Sequence, residues 1–205
     1  MLHKLSFRIV AALMVRSDCQ DKDAEIYAYG LECFLAGVLQ LLALAVTGIT
    51  CGCAGETALF SLFFTSLKRN IGGYHAGSHW SCIGGYTVAA VGAARLAKSL
   101  PLGCLSSGLA FCGVCTASFL VWRYAPAVHP HHPKTAGEIA RSRSVCLRVA
   151  ATHAVLIVLA IPLFPGLSCF WLSAAGGSFA AAVTLVIPNV RGKEGEAYGA
   201  QSSDP

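Results

Sequence analysis

The segment from Lys68 to Cys82 reads KRNIGGYHAGSHWSC, and it holds the residues with the most chemical potential in the chain. His75 and Cys82 stand seven residues apart. An imidazole within hydrogen-bond reach can take a thiol proton and later return it to a leaving amine. The thiolate left behind is the reactive nucleophile. On a helix, seven residues make two turns and put both side chains on one face. The Gly72-Gly73 pair can instead break or bend a helix just ahead of His75. Either geometry brings imidazole and thiol together. Lys68 and Arg69 could hold a substrate carboxylate or steady negative charge as it develops.

Other readings of the same residues compete. His75, His79 and Cys82 form an H-x3-H-x2-C pattern of a kind that ligates zinc. A catalytic zinc site would also want a water and a nearby base, and the chain contains no H-E-x-x-H. Tyr74, Trp80 and His79 suit anchoring at a membrane interface. Cys82 could also be one more packing cysteine among the ten in the chain.

The elements that must position this segment follow from composition. Of 205 residues, 55% are hydrophobic and only 12% charged, against roughly 25% charged in soluble proteins. Mean hydropathy is +0.62. A soluble chain of this size needs far more polar cover, so lipid must surround much of this one. The formal charge of +5 does not imply nucleic acid, because the basic residues are thin and sit at the ends of apolar runs. Most cysteines, including Cys33, Cys104, Cys112, Cys115 and Cys169, lie inside apolar runs, where a thiol packs as a small hydrophobe. No disulfide framework is expected, and no signal peptide is evident.

The expected fold is all-α and polytopic, with about six transmembrane helices. The spans are Leu31–Thr50, Thr57–Leu67, Ser81–Ala94, Leu105–Trp122, Val149–Phe164 and Leu167–Ile187. The second is shorter than the roughly 20 residues a crossing needs, so it must borrow from Gly52–Glu56 or be sheltered by protein. A polar loop is expected over Arg123–Arg148. Residues 1–30 read as an amphipathic segment at the membrane surface, 31–190 as the transmembrane domain, and 191–205 as a disordered cytoplasmic tail. Gly84-Gly85, Gly92 and Gly176-Gly177 suit close helix packing in lipid. Basic residues cluster in the N-terminal segment, at Lys68-Arg69, between Arg123 and Arg148, and in the tail. With six spans this places both termini and the His/Cys segment on the cytoplasmic side, with Arg95 and Lys98 as exceptions.

GGYHAGSHWSC, with basic residues upstream, resembles the signature of the accessory gene regulator B family. These are membrane cysteine endopeptidases of Gram-positive bacteria that process cyclic-peptide quorum-sensing precursors. Gly72, Gly73, His75, Ala76 and Cys82 match its pattern. The resemblance implies His75 as catalytic histidine and Cys82 as nucleophile, and a basic role for Lys68 or Arg69. Tyr29-Gly30-Leu31-Glu32 resembles the opening of the family's first span. There Glu32 either approaches the catalytic histidine or a substrate group, or lies at the interface. Tyr124-Ala125-Pro126, His129-Pro130 and His132-Pro133 resemble the loop after the fourth span. Family members often carry a lysine soon after the histidine motif, where this chain has Gly77-Ser78-His79-Trp80. The implied activity is cleavage of a small propeptide through an acyl-enzyme thioester, followed by cyclisation to a thiolactone or lactone. No metal and no cofactor is expected. The expected partners are a small amphipathic propeptide and the lipid bilayer, with a homodimer left open and no nucleic acid. The competing function is a membrane transporter or sensor with a His/Cys metal site.

Overall fold

The structure is a computed structural model that describes residues 6–11, 24–72, 78–101, 103–127 and 135–201, with side chains as far as residue 187. Residues 6–11 are helical. Six longer helices follow: α1 (Ala24–Thr50), α2 (Ala54–Ile71), α3 (His79–Ser99), α4 (Cys104–Tyr124), α5 (Ala136–Leu163) and α6 (Ser168–Gln201). A 3-10 turn over Pro165–Leu167 leads into α6. No strand occurs among the described residues.

Among the described residues, four segments are long and apolar enough to cross a membrane: α1, α4, α5 and Pro165–Ile187. The sequence expectation was six. The other two helices fall short for different reasons. α2 spans about 27 Å at about 1.5 Å per residue, and it carries Glu56, Lys68, Arg69 and Asn70 within its 18 residues. α3 is longer but holds His79, Arg95 and Lys98 near its ends and five glycines and alanines between Gly84 and Gly92.

Several boundaries differ from expectation. α1 begins at Ala24 rather than Leu31. α2 takes in residues on both sides of Thr57–Leu67, so Lys68 and Arg69 lie in its last turn. The polar stretch before Arg148 is helical from Ala136, because Thr135 and Glu138 form a reciprocal capping box. α6 continues through residues 191–201, which the sequence reading leaves as a disordered tail.

α6 is the centre of the bundle. It packs most extensively on α4 and α2, and also touches α3 and α5. α1 lies outside and rests on α3 and α2. Its outer face exposes Phe34, Leu41, Leu42, Val46 and Ile49, as a lipid-facing helix should. The core joins Leu67 and Ile71 of α2 to Val121 of α4, Cys146 of α5 and Leu185 of α6. A second cluster joins Phe63, Val114, Ile157 and Ala175.

The small residues divide into two kinds. A Cβ on Gly177 would run into the Phe60 carbonyl, so α2 and α6 meet there backbone to backbone. Gly84, Gly85 and Gly92 have open space around them and do not serve as packing surfaces within the chain. The cysteines are also redistributed. Cys33, Cys104, Cys112 and Cys115 face outward, and Cys53 and Cys146 are the buried ones.

Arg95 and Lys98, which break the charge pattern, have a structural task. They donate to the Cys51 and Gly52 carbonyls. These carbonyls close the C-terminal end of α1, where a cation is favoured.

The α2–α6 contact generates a prediction. Gly177→Ala should force the two helices apart and cost about 1–3 kcal/mol, the usual range for overpacking. Thermal unfolding in detergent should show a lower midpoint for Gly177→Ala, while Gly84→Ala, which meets open space, leaves it in place.

Candidate functional site

The polar residues gather at one end of the bundle, where α2 ends, α3 begins and α4 and α5 are joined. α2 stops at Ile71 because Gly72 adopts φ +72, ψ −139, a conformation suited to glycine alone. The turn is pinned from outside, since the Ala127 amide donates to the Ile71 carbonyl at 3.0 Å. A side chain at position 72 would also press on the Ala127 carbonyl. The expectation that Gly72 shapes the backbone is therefore met in a specific way. Gly73, Tyr74, His75, Ala76 and Gly77 lie outside the described residues, as do His129, Pro130, His131, His132 and Pro133.

α3 starts at His79, after an extended Ser78 whose hydroxyl accepts from the Ser81 amide at 3.1 Å. Ser78 is a favoured residue for that capping position. The helix that carries Cys82 therefore begins only three residues before it. Cys82 sits in the first turn of α3 and is exposed. Its amide donates to the Ser78 carbonyl at 3.0 Å.

The two basic residues part company. Arg69 is exposed, whereas Lys68 turns inward and is half-buried. Lys68 Nζ donates to the Gly72 carbonyl at 2.8 Å and to Thr184 Oγ1 of α6 at 2.9 Å. Lys68 lies beyond the apolar part of α2 and outside the four crossing segments. Burial pushes its amine down to about 8, and the nearby Cys82 opposes that shift, because its thiolate would favour the ammonium. Lys68 and Cys82 are thus electrostatic neighbours at this end of the bundle.

Glu32 of α1 is buried and meets His79 of α3, with Glu32 Oε1 and His79 Nε2 3.1 Å apart. Sequence reasoning gave Glu32 either an approach to the catalytic histidine or a substrate group or a place at the interface, and gave His79 either a zinc pattern or an anchoring role. The structure makes His79 a partner of Glu32. A buried carboxylate in an apolar helix needs such a partner. A second tie, Gln40 Nε2 to Thr87 Oγ1 at 3.0 Å, holds α1 and α3 together deeper in the bundle.

Sequence reasoning also missed His153. It is buried on α5, within 3.0 Å of Ser66 Oγ on α2 and 2.9 Å of Ser178 Oγ on α6. Its ring lies 4.5 Å from that of Phe63. The signal was present, since a histidine within an apolar span is costly and calls for partners. Close to the polar end, Cys146 Sγ donates to the Asn70 carbonyl at 3.2 Å and fastens α5 to the last turn of α2.

The fold and this polar end define a helical, multi-pass membrane protein, with acidic, basic, imidazole and thiol groups among the described residues gathered at one end of its helices. The sequence profile of the accessory gene regulator B family matches residues 6–185. The chain belongs to that family, a membrane family concerned with processing quorum-sensing propeptides. No curated protein and no solved structure matches the chain.

The lowered pKa of Lys68 gives a signed prediction. The unfolded lysine holds its proton to about 10.4, while the folded one releases it near 8. Between these values the unfolded chain binds more protons, so stability should rise with pH. Below about 8 both states are protonated, and the burial cost of the ammonium is fully felt. Thermal unfolding in detergent should therefore show a midpoint that climbs from about pH 8 to about pH 10. Lys68→Met should flatten that climb.

Proposed function

We propose that this protein is a membrane-embedded cysteine endopeptidase that cleaves a small propeptide and promotes cyclisation of the product. Cys82 is the nucleophile and His75 its base. The observation that carries this reading is the exposed Cys82 in the first turn of α3, beside the inward-facing Lys68. Membership of a propeptide-processing family supports it.

The reaction proceeds in two halves. In the first, His75 takes the Cys82 proton and the sulfur attacks a peptide carbonyl. Lys68, with the polar end of α2, steadies the negative charge that develops on the carbonyl oxygen. The amine leaves with the proton from His75, and the N-terminal part of the propeptide remains as a thioester on Cys82. In the second half, a cysteine or serine within the bound peptide attacks that thioester and closes a thiolactone or lactone ring. Exchange of one thioester for another needs little energy input, so ring closure proceeds without ATP. Gly72 ends α2 and turns the chain toward the segment that carries His75. Arg69, being exposed, is left for contact with an acidic part of the peptide or with lipid headgroups.

The topology that goes with this reading has six crossings, with α2 packed among α1, α3, α5 and α6. Both termini and the polar end face the cytoplasm of a Gram-positive bacterium. The propeptide reaches Cys82 from that side.

The test is co-expression of the full chain in membranes with a candidate amphipathic propeptide that carries a central Cys or Ser and an acidic C-terminal end, followed by mass analysis. Cys82→Ala and His75→Ala should each abolish cleavage while the protein still inserts. Normal processing by Cys82→Ala would rule the reading out.

A further inference from the structure

The Glu32–His79 pair has no part in the two-step scheme above, yet its geometry is that of a base and the group that orients it. His79 lies three residues before Cys82 in α3, so the two side chains share a face with their Cβ atoms about 5–6 Å apart. The His79 side chain is 43% exposed and Glu32 only 12%, so the imidazole stands at the open side and the carboxylate behind it. A carboxylate accepts hydrogen bonds and does not donate them. Contact with Glu32 Oε1 at 3.1 Å therefore places the imidazole proton on Nε2 and leaves the lone pair on Nδ1.

We infer that His79, oriented by Glu32, is the base of the second half-reaction, in which the acyl group leaves Cys82 for an acceptor thiol or hydroxyl. This rests on the reading of Cys82 as the acylated residue. The step balances without any further reactant. Nδ1 of His79 takes the proton of the acceptor, and the acceptor sulfur or oxygen bonds to the acyl carbon. The bond between that carbon and Cys82 Sγ breaks, and the proton passes from His79 to the departing Cys82 sulfur. The first half-reaction needs a base at the Cys82 thiol itself, which is the role given to His75. The second needs one at a group that arrives from outside, and the exposed His79 is placed for that. Glu32 acts through His79 and is a positioning residue.

The experiment uses the full chain in lipid nanodiscs, with p-nitrophenyl acetate as acyl donor and N-acetylcysteine amide as acceptor thiol. Peptide mass mapping reads acetyl on Cys82 against time, which separates loading from discharge. In His79→Ala and in Glu32→Gln, the ratio of thiol-dependent discharge to loading should fall about 100-fold, within the usual range for loss of a general base. Added imidazole should restore discharge in His79→Ala, which a merely structural role for His79 would not allow. An unchanged ratio in His79→Ala overturns the inference and leaves the Cys82 reading standing. Loss of loading and discharge together in that variant, without rescue by imidazole, likewise overturns it. Absence of acetyl on Cys82 in the unaltered chain overturns both.

Discussion

The close approach of α2 and α6 at Phe60 and Gly177 is the contact on which the rest of the arrangement depends. α2 carries the charged and polar groups of the candidate site and is too polar to stand alone in lipid. It is tolerable there because α1, α3, α5 and α6 surround it. Within a bilayer, helices gain little from hydrophobicity when they associate, and small residues that admit backbone contact carry the packing. Gly177 supplies that contact, and the Ser66–His153–Ser178 bridge secures the same helices with α5 a little further along. Thr184 on α6 is then in place to receive Lys68.

That enclosure separates the charges by task. At one end, Arg95 and Lys98 close the carbonyls of the turn after α1 and contribute to architecture. At the other, Lys68 is half-buried and donates to a backbone carbonyl and a hydroxyl. Cys82 lies near enough to favour its charged form. Glu32, in contrast, is matched directly to an imidazole.

Much of this was legible beforehand. The helical class follows from apolar runs in a chain with so few charges, and the site segment stands out by polarity alone. Other features were visible but outweighed. Thr135 and Glu138 have the spacing of a capping box, yet the prolines and histidines before them made the whole stretch read as a loop. Glycine pairs looked alike in sequence, but Gly177 faces the backbone of a neighbouring helix, while Gly84 and Gly85 face outward. Outward-facing thiols could not be told from buried ones, because a cysteine in an apolar run suits either side of a helix in lipid.

By itself the sequence determined the lipid environment, the helical class, the family signature and the residue types able to do chemistry. Those depend on composition and on short spacings, which a linear chain displays directly. Only the tertiary structure decided that Lys68 rather than Arg69 turns inward, that Glu32 belongs to His79, and that His153 bridges three helices. The partners in these contacts stand far apart along the chain, 116 residues for Lys68 and Thr184 and 87 for Ser66 and His153. Helix rotation about its own axis sets which side chain faces which neighbour, and that rotation is settled by packing of all the helices together.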